Sequence, residues 1–349
     1  METFLKDLCV GLVNRGIDCG AIAASSNHHS NSIHDLGVDV RLLANLATIK
    51  SLAVCPEALW ALRGVDAQIL NIHHPNPLAD VSYLFSDFKG KLVVTYQSDT
   101  LGKGFLGQVS SPLLHYVLKR ADAIITSSPH YLDSSPILQS YRKKVCIIPL
   151  GIDIKPLNRD LPYRDRPVRS IPHYLFIGRL VPYKGISVLI QALREIPCNL
   201  EIVGTGPLQP ELVKLARLSG VSERVSFLGN VTEEEKLSRL AECDALILPS
   251  ISRAEAYSIV LLEAMAMECP VIVSDLPSGV RMLVKDGVNG YRFEPGNAEA
   301  LALTLNKLAQ DPQLAAQMGR NGRRLLEENW TIERTVEKYV KLYEQVLDG

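Results

Sequence analysis

A two-domain α/β protein with parallel sheets is the fold class this sequence predicts, on three observations. Short β-branched apolar runs alternate with amphipathic segments along nearly the whole chain, the pattern of repeated strand-helix units. The stretch from Pro156 to Pro172, PLNRDLPYRDRPVRSIP, carries four prolines and no period, so it reads as a linker between two such series. At 349 residues the chain exceeds what one ordinary hydrophobic core organises.

The first series places strands at Cys19–Ala24, Val38–Leu42, Ala67–Ile72, Lys91–Tyr96, Ala123–Thr126 and Val145–Pro149. The second places them at Tyr174–Ile177, Leu200–Val203, Val225–Leu228, Ala245–Leu248, Val271–Ser274 and Tyr291–Phe293. Its helical patterns are Ile186–Ile196, Glu211–Leu218, Glu233–Ala241, Ser258–Met267, Ala298–Gln310 and Pro312–Glu328, with a last helix at Thr331–Leu347. The expected organisation is an N-terminal Rossmann-like domain over 1–155, a linker over 156–172, a second Rossmann-like domain over 173–329, and a helix over 330–349 that packs back on the first domain. Two such halves are expected to face a ligand cleft at the carboxyl ends of their strands. The opening segment METFLKDLCVGLVNR already has a helical pattern, so the first strand that normally precedes such a helix is read as missing.

With 47% hydrophobic and 21% charged residues and a net charge of −1, the composition is that of a globular protein, without the basic surplus of a nucleic-acid binder. Seven scattered cysteines, none in C-x-x-C spacing, suggest buried thiols in a reducing cytoplasm in place of disulfides or a zinc site. The chain has neither an apolar run of membrane-spanning length nor a signal pattern at its start, so a cytoplasmic location is expected.

Three segments at strand ends carry candidate chemistry. In FIGRLVPYKG, Arg179 and Lys184 follow a strand and precede a helix, where an Arg fork and a Lys point charge suit a diphosphate; singly, each reads as a solvated surface cation. VGTGP contains Gly204 in a strand-to-helix turn, but Gln209 occupies the place of the last glycine of G-x-G-x-x-G, which argues against a dinucleotide fingerprint and an NAD dehydrogenase. In SRAEAYSIVLLEAMA, Ser258 lies at a helix start whose backbone N–H groups and dipole suit phosphate oxygens. Glu255 precedes that helix and Glu263 lies inside it, placed to receive the two hydroxyls of a ribose. On spacing alone, two acids near a helix start have a bland explanation in the helix dipole.

The run from Tyr174 to about Gln310 resembles the retaining glycosyltransferases of family 4, of GT-B fold, and the resemblance extends more loosely over most of the chain. The family's E-x7-E signature corresponds to Glu255 and Glu263, and its Arg/Lys pair to Arg179 and Lys184. SFLGNVTEEEK resembles the segment that cradles the nucleotide base, which makes Val231, Glu233 and Lys236 candidates there, and the resemblance adds Tyr257 and Ile259 to the donor side. TYQSD and NIHHPNPLAD resemble bacterial members that transfer mannose or related sugars in polysaccharide assembly.

The resemblance implies a metal-independent transfer with retention from a GDP- or UDP-sugar, with no separate cofactor, and no D-x-D triplet occurs in the chain. The acceptor implied is a glycan or lipid-linked molecule, with peripheral contact at the inner membrane face. On the acceptor or sugar side stand Gln97, where the family commonly has histidine, and His73 or His74, of which adjacent strand positions allow one to face the ligand. The resemblance also implies an opening strand and glycine-rich loop, read as missing before METFLKDL, which with Gln97 keeps a non-catalytic sugar-nucleotide-binding subunit open beside the enzyme, and a GT-B epimerase is the third reading.

Overall fold

In the C-terminal half, strand side chains alternate between two buried faces, which fixes a doubly wound sheet. The computed structural model describes residues 2–25, 28–49, 52–99, 105–158 and 169–349, and the chain forms two compact units. The N-terminal unit comprises Met1–Ser127, Ser135–Leu150 and Ile332–Gly349; the C-terminal unit comprises Ser128–Ser134 and Gly151–Thr331. Of the expected linker, residues 159–168 lie outside the described residues, and Pro156–Asn158 form a 3-10 turn.

Among the described residues the N-terminal unit holds nine strands: β1 (Gly20–Ala24), β2 (Asn31–Asp35), β3 (Val38–Leu43), β4 (Ala47–Ile49), β5 (Leu52–Val54), β6 (Ile69–His74), β7 (Lys91–Tyr96), β8 (Ala123–Thr126) and β9 (Val145–Ile147). A parallel sheet of order β6-β7-β8-β9 forms its centre. β1 pairs with β3 in parallel, while β2 pairs with β3 and β4 with β5 antiparallel. The sequence reading left out β2, β4 and β5. All five residues of β2 are exposed, so it has no apolar face to announce it. Its pairing is set by the turn, where Leu36 and Gly37 both take positive φ, 51° and 80°, as a two-residue hairpin requires.

The helix Glu2–Val13 packs against Ile332–Asp348, burying Phe4, Leu8 and Leu12 against Ile332, Val336 and Tyr339. Gly11 sits at the crossing, where an added Cβ would stand 2.4 Å from Val336 Cγ2, so the two helices approach closely there.

The C-terminal unit is one six-stranded parallel sheet: β10 (His173–Ile177), β11 (Asn199–Val203), β12 (Val225–Gly229), β13 (Ala245–Leu248), β14 (Val271–Ser274) and β15 (Gly290–Phe293), in the order β12-β11-β10-β13-β14-β15. Tyr174, Phe176, Ile202 and Ile247 point to one core, shared with the helices Ile186–Ala192 and Ala298–Ala309. Leu175, Leu246, Leu248 and Val273 point to the other, shared with Ile259–Ala266 and Pro312–Asn329. Period-two alternation with both faces apolar is what a parallel sheet covered on both sides demands. The expected strands of this half agree with the observed ones to within a residue at each end, and the short helix Gly279–Leu283 was not anticipated. Helix Pro129–Ser134 joins this unit by packing against Gly279–Leu283.

Candidate functional site

From β10 the chain builds the sheet outward through β11 to β12, then returns to β13 on the other side of β10 and builds toward β15. Open α/β sheets bind ligands at the carboxyl ends of the strands where this direction reverses. Here that position lies between β10 and β13, and the loops that follow these two strands carry Gly178–Lys184 and Ser250–Ser258.

Backbone contacts fix the two loops to each other. The Ile251 N–H donates to the Tyr183 carbonyl at 2.8 Å. Gly185 adopts φ +66°, and a Cβ there would stand 2.0 Å from the Pro249 carbonyl oxygen, so both the conformation and the space require glycine. On the other side, Gly204 at φ +120° lies against Gly178, whose carbonyl oxygen would be 2.1 Å from an added Cβ. The turns after β10, β11 and β13 are thereby nested at backbone distance.

This nesting places a buried ion pair. Lys184 Nζ lies 2.6 Å from Glu255 Oε2, with side chains 11% and 5% exposed. The Ser250 hydroxyl, itself buried, donates to the same Glu255 oxygen at 2.8 Å. Charges taken out of water at this depth persist only when paired and hydrogen-bonded, and Glu255 has both partners. The sequence reading set Lys184 beside Arg179 facing one anion. The structure puts Arg179 on the same loop but exposed, and turns Lys184 inward to Glu255. Ser250 was missed; its position two residues after β13, at the reversal, was the available signal.

The second acid of the pair has its own cation. Lys236 Nζ lies 2.9 Å from Glu263 Oε1 and 2.5 Å from Glu233 Oε1. Burial pushes the Glu263 carboxyl above its ordinary value, and Lys236 pulls it back. Burial also works against the Lys236 ammonium, but Glu263 and Glu233 outweigh it and its pKa stands above the ordinary value. The helix that carries Glu233 and Lys236, Glu233–Glu242, starts with a capping box between Thr232 and Glu235, which fixes its first turn directly after Val231. Of the residues expected at the nucleotide base, Lys236 therefore bridges Glu233 and Glu263.

Ser258 is the N-cap of Ile259–Ala266 and is buried, yet its hydroxyl makes no cap hydrogen bond to its own helix. Tyr257 and Ile259 flank it, half-buried; burial holds the Tyr257 phenol well above its usual range. Against this segment the loop after β14 closes with the Gly279 N–H on the Ala256 carbonyl at 2.7 Å. Arg179, Lys184, Gly204, Val231, Glu255, Ser258 and Glu263 thus all lie on the carboxyl-end side of this one sheet. Among the described residues no group of three or more His, Cys, Asp or Glu is placed to hold a metal ion.

Within the N-terminal unit the two histidines separate. His73 Nδ1 and Gln97 Nε2 are 3.2 Å apart, whereas His74 is buried, stacked on Tyr96 with centroids 4.9 Å apart, and 3.6 Å from Asp80. Of the two, His73 is the one beside Gln97, as alternation along β6 requires. Burial lowers the His73 pKa to about 4, so the ring is neutral near pH 7. Asp99, absent from the sequence reading, accepts from the Tyr96 hydroxyl at 2.9 Å and the Ser135 hydroxyl at 2.7 Å.

Residues 170–325 match the family model described as Glycosyl transferases group 1, and residues 1–155 match Glycosyltransferase Family 4. The chain is 30% identical over its full length to O-antigen chain mannosyltransferase C of Escherichia coli, covering 95% of that protein. It is 31% identical to D-rhamnosyltransferase WbpZ of Pseudomonas aeruginosa over 92% of this chain and 85% of that protein. The solved structure of Anabaena HepE in complex with UDP and glucose superposes with a TM-score of 0.76 at 19% identity, over 98% of this chain and 95% of that one. The fold is GT-B. The chain belongs to the group 1/family 4 glycosyltransferases, and it is a glycosyltransferase.

Two measurements check this geometry. Glu255→Ala strands the Lys184 ammonium in a buried site and is expected to destabilise the C-terminal unit by ~3–5 kcal/mol in urea titrations, most of which Lys184→Met/Glu255→Leu restores. Unchanged stability in Glu255→Ala would contradict the pair. The His73 value of about 4 lies below the ordinary 6.5, so as pH falls the unfolded chain takes up that proton first. The contribution is complete above pH 6.5 and is lost as pH falls from there toward about 4; His73→Gln is expected to flatten that part of the stability profile.

Proposed function

We propose that the protein transfers mannose or a related hexose, with retention and without a metal ion, from a GDP- or UDP-sugar to a glycan or lipid-linked acceptor in polysaccharide biosynthesis. The observation that carries this reading is the Lys184–Glu255–Ser250 cluster at the reversal between β10 and β13, with Glu263 held by Lys236 on the same edge of the sheet. The names of the relatives, a mannosyltransferase and a rhamnosyltransferase, support a hexose or deoxyhexose, and the UDP in HepE supports a nucleotide donor.

The donor's diphosphate sits over the loop after β10 and the start of Ile259–Ala266. Lys184, Arg179 and the first-turn N–H groups of that helix stabilise the charge that grows on the diphosphate oxygen as its bond to the sugar's anomeric carbon breaks. Glu263 accepts the ribose hydroxyls, held in place by Lys236. Glu255 meets the sugar hydroxyls, and Ser250 keeps its carboxylate in position when Lys184 turns to phosphate. The acceptor oxygen bonds to the anomeric carbon from the side the diphosphate leaves, and its proton passes to the departing diphosphate oxygen. Gln97 and His73 of the N-terminal unit hold the acceptor side by hydrogen bonds; neutral His73 and an amide contribute no charge there.

A panel of GDP- and UDP-sugars at equal concentration is expected to give one donor that stabilises most, by ~2.7 kcal/mol once it reaches a hundred times its dissociation constant. Lys184→Met/Glu255→Gln is expected to lose that shift, and Gln97→Ala to keep it. With the selected donor, product from a sugar acceptor is expected to keep the donor's anomeric configuration by NMR, at a rate unaffected by EDTA. Inverted product, or abolition of turnover by EDTA, would overturn the mechanism, and donor consumption without an acceptor would favour an epimerase.

A further inference from the structure

One face of the N-terminal unit combines exposed aromatic rings with cations. The turn Pro56–Trp60 packs against the helix Pro77–Leu84, and that helix packs against Phe105–Arg120. Trp60 and Phe85 lie with centroids 6.1 Å apart, and 50% and 49% of their surfaces remain exposed. The Arg63 guanidinium stands 4.1 Å over the Trp60 ring and donates from Nε to the Phe85 carbonyl at 3.2 Å. These contacts lay a cation on an aromatic pair that stays half exposed.

The cations continue along the neighbouring helix. Arg120, in its last turn, lies beside Tyr83 of Pro77–Leu84 and exposed Tyr116. Lys144 Nζ donates to the Lys119 and Ala121 carbonyls, both at 2.7 Å, which brings the basic run Arg142–Lys144 onto the same helix end. Four acids stand among these cations: exposed Glu57 in the turn Pro56–Trp60, exposed Asp66, and Asp87 and Asp122, which accept from the backbone N–H groups of Gly64 and Leu92. The chain as a whole has a net charge of −1, so this concentration of positive charge is local.

We infer that this face docks on an anionic lipid bilayer, with Trp60 and Phe85 entering the headgroup region and Arg63, Lys119, Arg120 and Lys143 lying over the anionic headgroups. Amphipathic rings favour the membrane-water boundary, and each cation near an anionic surface strengthens partition about fivefold. A soluble anionic partner would match the cations but leave the aromatic pair in water. The inference deepens the reading of the acceptor as lipid-linked and names the surface that brings the enzyme to it.

Vesicles of phosphatidylcholine alone, and with about 30 mol % phosphatidylglycerol, test it on the full chain. Trp60 and Trp330 are the two tryptophans, and Trp330 is 5% exposed, so a blue shift of emission reports Trp60 entering lipid. The expected result is co-sedimentation and a blue shift with the anionic vesicles only, weakened by salt. Lys119→Ala/Arg120→Ala/Lys143→Ala is expected to lower partition about 100-fold at low ionic strength, with an unchanged melting profile and unchanged turnover of a water-soluble acceptor. Trp60→Ala is expected to remove the blue shift. Equal binding to both vesicles, no binding by the wild type, wild-type partition by the triple variant, or binding without a blue shift would each overturn the inference. Vesicle binding by a protein that transfers no sugar would refute the catalytic reading and leave the docking supported.

Discussion

The buried pair of Lys184 and Glu255 is the constraint around which the C-terminal unit is arranged. Two opposite charges under a tenth or so exposed are stable only at contact distance. Contact requires the loops after β10 and β13 to meet. They meet because Gly185 removes the side chain that would strike the Pro249 carbonyl, and because the Ile251 N–H reaches the Tyr183 carbonyl. Ser250 then supplies the hydrogen bond that the carboxylate would otherwise lack. A chain of small steric requirements thus ends in a cation and an anion fixed at the point where the sheet reverses direction.

That arrangement suits a reaction in which negative charge moves to a leaving group. A lysine held against a carboxylate before the donor arrives has little freedom left to lose, so exchange of one anionic partner for another costs less than fixing a flexible chain. Glu263 is held in the same manner by Lys236, on the helix after β12, and its pKa stays raised because burial outweighs the pull of that cation. The two cations come from separate segments, after β10 and after β12, while both acids belong to the segment that follows β13.

Much of this was legible in the sequence. Strand positions in the C-terminal half show through because both faces of a parallel sheet are buried, and uninterrupted apolar runs such as Ala245–Leu248 and Val271–Ser274 admit few other readings. Glu255, Glu263, Arg179 and Lys184 stood out through the resemblance to family 4, since spacing alone left them a bland explanation. Their pairing did not, since it depends on a backbone approach between residues about sixty-five positions apart in the chain, at Gly185 and Pro249, and no local pattern encodes that. The hydrogen bond from Ser250 to Glu255 was hidden for the same reason, although the position of Ser250 two residues after β13 could be read. In the N-terminal half, β2 carries no apolar signal, and Asp99 gains its partners Tyr96 and Ser135 only through the fold. The exposed Trp60–Phe85 pair likewise joins residues from separate elements.

The most direct test is a crystal structure with the nucleotide sugar bound. The account predicts diphosphate oxygens within hydrogen-bond reach of Lys184 Nζ and of the backbone at Ser258 and Ile259, with the ribose hydroxyls on Glu263. At the opposite end of the same sheet lies a polar cavity of about 300 Å³ lined by Arg169, His173, Glu201 and Arg224. A diphosphate found there, with Lys184 still closed on Glu255 and Glu263 touching no ribose, would contradict it.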